Sequence, residues 1–253
     1  MLEEFLATNV FHFILIFARV GMVFMALPGI SAPYVSPRSR IAIALATCLI
    51  LLPAVGPQLP VRPATAAELF FLVGTEVVIG GFYGAMIQAL MATVHVAGTI
   101  IGFNSGMANA MVFDPISEQQ GALMTGFLGN IAVLLVFALD LHHIMIGGVV
   151  ESYSLIPAGA PMPIEDMVAT ITNLMVVSMT IGFQMASPFV AFALIFHTSM
   201  GLLNRLSPQM NVFFIGLPIQ LLLSLALLLI TMPAMMALFM RTLEAEILNF
   251  IRF

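Results

Sequence analysis

The chain contains no lysine, one cysteine and few charges of either sign. Of its 253 residues only 8% are charged while 61% are hydrophobic, and the mean hydropathy is +1.13. Soluble domains carry roughly a quarter of their residues as charges, so this scarcity excludes an ordinary soluble protein and points to a membrane or a membrane-embedded complex. Without lysine, the seven basic residues are all arginine, set against twelve carboxylates for a net charge of -5. There is no basic run, which argues against nucleic acid as a partner and against a polybasic lipid-binding patch. Cys48 alone cannot form an intrachain disulfide; in its apolar run it reads as an inert buried thiol. The N-terminus lacks the positive charge of a signal peptide, carrying Glu3 and Glu4 instead, and Arg19 interrupts the apolar run that follows, so the segment is expected to be retained. No G-x-S-x-G elbow, phosphate-binding loop or dinucleotide fingerprint appears. Neither catalysis nor a cofactor is expected.

What is present is a succession of apolar runs. Residues 10–30 are long enough for a layer of about 30 Å; residues 41–52 form a shorter run that ends among Pro53, Pro57, Pro60 and Pro63, read here as an extended connector. Residues 69–101 would make a helix of about 50 Å, longer than a bilayer core. In it, Gly80 and Gly84 offer a small face for close helix contact. Residues 122–156 are interrupted at Asp140-Leu141-His142-His143, leaving open a broken helix or a hairpin. The fifth run, 167–200, is interrupted at Ser187-Pro188, and the last, 212–240, contains Pro218 and Pro233. Leu243, Ile247 and Phe250 then recur at helical spacing, as in a short amphipathic tail over 241–253. Six crossings leave arginine tied between the two sides; the short Arg38–Arg40 turn alone hints that both termini lie outside.

Between the third and fourth runs lies the least regular stretch, Gly102 to Gly121. Three glycines and Asp114-Pro115 stop it from continuing as a smooth helix, yet Met107, Met111, Val112, Phe113 and Ile116 are too apolar for a solvated loop. Irregular backbone at membrane depth survives only where protein or a water-filled cavity satisfies its polar groups. The stretch is therefore expected to fold into a pore or a protein interior, as a gating loop or as a plain re-entrant connector.

Few residues carry chemistry. Arg19, in the middle of an apolar run, must face protein, and Glu76 is a candidate partner for it. Asp140, His142 and His143 form the one local cluster resembling metal or acid–base equipment, but adjacent helical histidines point about 100° apart; a polar cap at a helix break is the expected role, with no metal. His12, His95 and His197 read as packing histidines. The twenty methionines, Met232, Met235, Met236 and Met240 among them, suit adaptable packing.

One block is more specific. Residues Gly201-Leu202-Leu203-Asn204-Arg205-Leu206-Ser207-Pro208-Gln209 with Phe213, Gly216 and Pro218 closely resemble the G-L-L-x-R-x-x-P-Q-x-x-x-F-x-x-G-x-P block of the FliR family of flagellar type III export-gate proteins. The G-x-x-x-G and D-P of the loop match as well, as do Arg19 with Pro28 and Pro33, Arg38 with Arg40, and Asp140-x-His142. These features keep their order along essentially the whole chain, while His197 lies outside the pattern. The resemblance implies an all-α membrane protein forming a single export-gate domain over 1–253, built of long broken helices and hairpins with a re-entrant plug loop. It implies assembly with FliP-like and FliQ-like subunits, work with FlhB-like and FlhA-like components, unfolded export substrates, and a place among inner-membrane lipids in the flagellar basal body. Carried over, residues 102–121 are the plug. Met107, Met111, Val112 and Phe113 block the lumen, Gly102, Gly106 and Gly121 let the loop bend aside, and Glu118, Gln119 and Gln120 tether it, beside Asp114 and Pro115. Arg19, Arg38, Glu76, Asp140, His142, Asn204, Arg205, Pro208, Gln209, Phe213, Gly216 and Pro218 would serve structure and assembly. The virulence injectisomes share the pattern. Readings from other classes are a small-solute or ion transporter, which predicts an inverted repeat that is not evident, an intramembrane metalloprotease, and a plain membrane scaffold.

Overall fold

A computed structural model describes residues 2–107, 120–207, 209 and 212–252. Its regular structure is helical, with no strand among the described residues: α1 (Leu2–Ala26), α2 (Pro37–Val55), a 3-10 turn (Gly56–Gln58), α3 (Ala66–Asn104), α4 (Gln120–Ala138), α5 (Leu141–Leu155), α6 (Ile164–Leu206) and α7 (Val212–Arg252). Five of these helices, α1, α2, α3, α6 and α7, are long and apolar enough to cross a membrane. The pair α4–α5 makes a sixth crossing if it is counted as one span, bent by 73°. The chain is an all-α membrane protein.

Proline placement explains where the helices differ from the expected boundaries. Ser36 caps α2, its hydroxyl accepting from the Ser39 N–H at 3.1 Å, and Pro37 occupies the first turn, where its missing donor costs nothing. Arg38 and Arg40 therefore lie on the helix, not in a turn, and α2 runs on through Pro53. Helix α6 likewise continues through Pro188 for 43 residues. A helical proline frees the carbonyl four residues before it, and here the Ser187 hydroxyl donates to that carbonyl, Gln184 O, at 2.7 Å. Helix α7 passes through Pro218 and Pro233, and the expected separate tail is simply its last turns. Leu243 and Ile247 are buried there, so the apolar face read from the sequence is real.

The helices contribute to two compact units. Unit 1 comprises Met1–Leu90, Leu139–Met175 and Glu244–Phe253. Its α1 packs on α2, and α3 presents one stripe to α1 at a spacing of four residues: Glu76, Gly80, Gly84, Gln88. A Cβ at Gly80 would collide with the Arg19 carbonyl oxygen, and one at Gly84 would lie 2.7 Å from Ala26 Cβ. The small face expected of α3 is thus used against α1, and Gln88 closes it by donating to Ala26 O at the end of that helix. Tyr83 donates to Met145 O at 3.0 Å, joining α3 to α5. Unit 2 comprises Met91–Ala138 and Val176–Leu243. Here Gly98 of α3 lies against α4, where a Cβ would stand 2.6 Å from Thr125 Cα, and Gly182 of α6 lies against α3, with Thr93 O at 2.9 Å.

Candidate functional site

The sequence places two charges in apolar runs, and the fold brings them together. Arg19 is 1% exposed and Glu76 is fully buried. Arg19 Nε donates to Glu76 Oε2 at 2.7 Å and Nη2 to Oε1 at 3.0 Å, the two-pronged geometry a guanidinium offers a carboxylate. Its remaining donors reach the end of α5: Nη1 to Ser152 O at 2.9 Å and to Ser152 Oγ at 3.2 Å, and Nη2 to Ile156 O at 3.0 Å. These carbonyls lie at a helix C-terminus, which carries partial negative charge; Ser152 O also accepts the Ile156 N–H at 3.0 Å, while Ile156 O lies past the last helical residue. The Tyr153 ring covers the guanidinium carbon at 3.9 Å. One side chain thus fastens α1, α3 and α5 together with every N–H satisfied. That is the neutralised, paired state a charge needs in a low-dielectric interior.

The stem of the loop is built differently. Helix α3 runs to Asn104, so Gly102 is helical and buried; at the other end α4 begins at Gln120, so Gly121 is helical too. Of the three glycines expected to give the loop freedom, Gly106 alone lies outside a helix, with a φ of 82° that L-residues avoid. Two polar side chains of α7 hold this corner. Gln220 Nε2 donates to Asn104 O at 3.1 Å, and Ser224 Oγ to Ser105 O at 3.4 Å, both from side chains at most 2% exposed. A Cβ on Gly106 would stand 3.0 Å from the Gln220 carboxamide carbon, so glycine also leaves room for this contact. Gln220 and Ser224 were not among the expected site residues; two polar groups four apart in an otherwise apolar run were the available signal. Met107 is half-buried at the corner. Met111, Val112, Phe113, Asp114, Pro115, Glu118 and Gln119 lie outside the described residues.

Asp140 occupies the bend between α4 and α5 in the left-handed region, φ 58°. His143 Nδ1 lies 3.3 Å from Asp140 Oδ1, both side chains well exposed. The two histidine rings are 4.0 Å apart, and one ligand atom each from Asp140, His142 and His143 falls within 4.8 Å of the others. The two rings therefore meet despite the divergence expected of adjacent helical residues. Elsewhere His12 Nε2 is 3.3 Å from Pro60 O, while His95 and His197 are exposed and not the packing residues anticipated. Of the paired arginines, Arg38 is exposed; it is Arg40 that closes the preceding turn, donating to Ile30 O at 2.9 Å and Ala32 O at 3.2 Å.

The G-L-L-x-R block forms the end of α6 and the connection to α7. Asn204, Arg205 and Gln209 are exposed, and the side chains of Asn204 and Arg205 make no hydrogen bond among the described residues. Gly216 is buried under the thioether of Met200, and Pro218 is exposed on α7. Phe213 lies in the first turn of α7, while Pro208 lies outside the described residues. Residues 10–245 match the family described as bacterial export proteins, family 1. The chain belongs to this family. Among curated relatives, the flagellar biosynthetic protein FliR of Caulobacter vibrioides is 33% identical over 222 residues, 88% of each chain. FliR of Bacillus subtilis is 27% identical over 87% of this chain and 85% of its own. The surface presentation of antigens protein SpaR of Salmonella typhimurium is 27% identical over 81% of this chain and 76% of its own. Members of the FliR family are components of an export apparatus, and this chain is such a component with a membrane-spanning helical fold.

Proposed function

We propose that the chain is a subunit of the flagellar type III export gate, assembling with FliP-like and FliQ-like subunits into a pore for unfolded substrates that its 102–120 loop plugs. The observation that carries the reading is the mismatch between helix length and burial. Helices α6 and α7, at 43 and 41 residues, would measure about 60 Å each, twice a bilayer core. Yet only 28% of the apolar stretch of α6 and 22% of that of α7 is buried within the chain, and Leu194, Leu206, Leu229 and Ile230 are more than two-thirds exposed. Lipid can cover about 20 residues of each; the rest needs the apolar helices of other subunits. Exposed Asn204 and Arg205, their side chains unbonded among the described residues, supply polar contacts for the same assembly.

No chemistry is required of such a gate. A loop held by a few weak bonds yields to substrate driven by FlhB-like and FlhA-like components, because displacement needs only that the open state bind substrate better. Purification from native inner membranes in mild detergent is expected to yield a particle far heavier than 27 kDa containing FliP-like and FliQ-like chains. A lone monomer from cells that make those partners would reject the reading. Deleting Asn109–Pro115 is expected to preserve that particle but raise basal ion leak. The match to SpaR also keeps the injectisome counterpart in view, and deletion of the gene separates the two: loss of flagella supports the first, loss of toxin-type secretion with motility intact the second.

A further inference from the structure

The loop corner contains two hydrogen bonds that the family reading does not explain. Gln220 and Ser224 sit four residues apart on one face of α7, in a stretch whose neighbours are Leu221, Leu222, Leu223, Leu225 and Ala226. A carboxamide and a hydroxyl on residues only 2% and 1% exposed among such neighbours are costly unless bonded. Both are bonded to the same short piece of backbone: Gln220 to Asn104 O and Ser224 to Ser105 O, the last carbonyls before Gly106. Those carbonyls terminate α3 and have no intrahelical donor left to meet them. Ser105 is itself drawn back onto α3, with its N–H on Ile101 O at 2.8 Å and its hydroxyl on Gly102 O at 3.0 Å. The corner is thus fixed from α7 and from α3, and the chain leaves it through a left-handed glycine.

We infer that Gln220 and Ser224 form a latch that positions the stem of the loop and holds it in the closed setting. The inference rests on the plug reading above and adds to it the side chains that set the plug's anchor. Two neutral hydrogen bonds, one of them at 3.4 Å, hold the corner without making it permanent. Displacing α7 at this level, or pulling the loop, would break both together because they share one face and one stretch of backbone. Gly106 then serves as the pivot, since its conformation is open to glycine and strained for any other residue.

The test is basal ion conductance of the whole purified gate in planar bilayers, compared at equal subunit composition. Removing the Ser224 hydroxyl (Ser224→Ala) and replacing Gln220 by an apolar residue of similar size (Gln220→Leu) are each expected to raise leak several-fold. Both should remain below the Asn109–Pro115 deletion. Ser224→Thr, which keeps the hydroxyl but adds a methyl, is expected to stay tight. A packing role would rank these the other way, with threonine the more disruptive. If the deletion leaks while Ser224→Ala and Gln220→Leu remain as tight as wild type, the latch is overturned and the plug survives. If the deletion itself is tight, the plug reading fails and the latch fails with it. Should Ser224→Ala or Gln220→Leu not assemble, Gly106→Ala strains the same corner from the loop side; a tight gate in that variant overturns the latch.

Discussion

The Arg19 node and the loop corner are two solutions to the same problem, polar groups held where water is scarce, and they differ in strength. At Arg19 a full charge meets a full charge, and five N–H donors reach Glu76, Ser152 and Ile156 from one rigid plane. At the loop corner two neutral side chains each make one bond to a carbonyl, and the next residue is a glycine. Bonds to charged groups are worth roughly twice neutral ones, and a guanidinium that loses its partner is left as an uncompensated buried charge. The first joint resists opening because every partial opening is worse than none. The second loses less with each bond, because what is left unpaired is neutral. A membrane assembly with a moving part needs both kinds of joint.

The largest effect is expected from breaking the first joint. Arg19→Ala or Glu76→Ala should destabilise the protein by about 3–5 kcal/mol, since each strands the other charge. The measurement is gate yield and its thermal dissociation temperature. Arg19→Lys should not rescue, because three donors on a flexible stem cannot serve a carboxylate and two carbonyl positions together. Replacing both members by apolar residues, Arg19→Met with Glu76→Leu, should recover part of the loss but not all, because Ile156 O would then lose the guanidinium donor and Ser152 O would keep only the Ile156 N–H. Full recovery would mean that the α5 contacts carry no weight, and the contrast between the joints would reduce to charge alone.

A smaller effect comes from the backbone beneath the node. Gly80→Ala places a methyl on the Arg19 carbonyl, a backbone atom that cannot rotate away, at a cost of about 1–3 kcal/mol. Gly74→Ala, on the same helix with nothing near its Cβ, should be neutral or stabilising by up to about 1 kcal/mol. Equal behaviour of the two in the thermal measurement would show that close α1–α3 contact does not hold the charges in place.

Much of this arrangement was legible in the sequence, and the exceptions have physical causes. Arg19 and Glu76 announce themselves because apolar runs penalise charges, and Gly80 and Gly84 because they share a helix face. The contribution of α5 does not, since its backbone carbonyls could belong to any residue type. Helix ends at Pro53 and Pro188 were misjudged because proline's cost is local: at Pro188 a single serine hydroxyl meets the carbonyl it frees. Gln220 and Ser224 were overlooked for the opposite reason, as two modest residues in a long apolar run whose importance depends on a partner more than 100 positions away.

The smallest expected effect lies at the bend between α4 and α5, which shows what a joint looks like when neither charge nor burial enforces it. Asp140 is left-handed and its carboxylate faces the His143 ring, but both side chains are largely in solvent. An exposed pair is screened, and this one is charged on both sides only when the histidine is protonated. Asparagine adopts the left-handed conformation as readily as aspartate, so Asp140→Asn should change stability by no more than about 0.5 kcal/mol. Asp140→Val, which resembles aspartate in size but is β-branched, should cost more, because the conformation and not the charge is what the bend requires. If asparagine proved as harmful as valine, the Asp140–His143 contact would have to be counted with the Arg19 node as a joint made by charge.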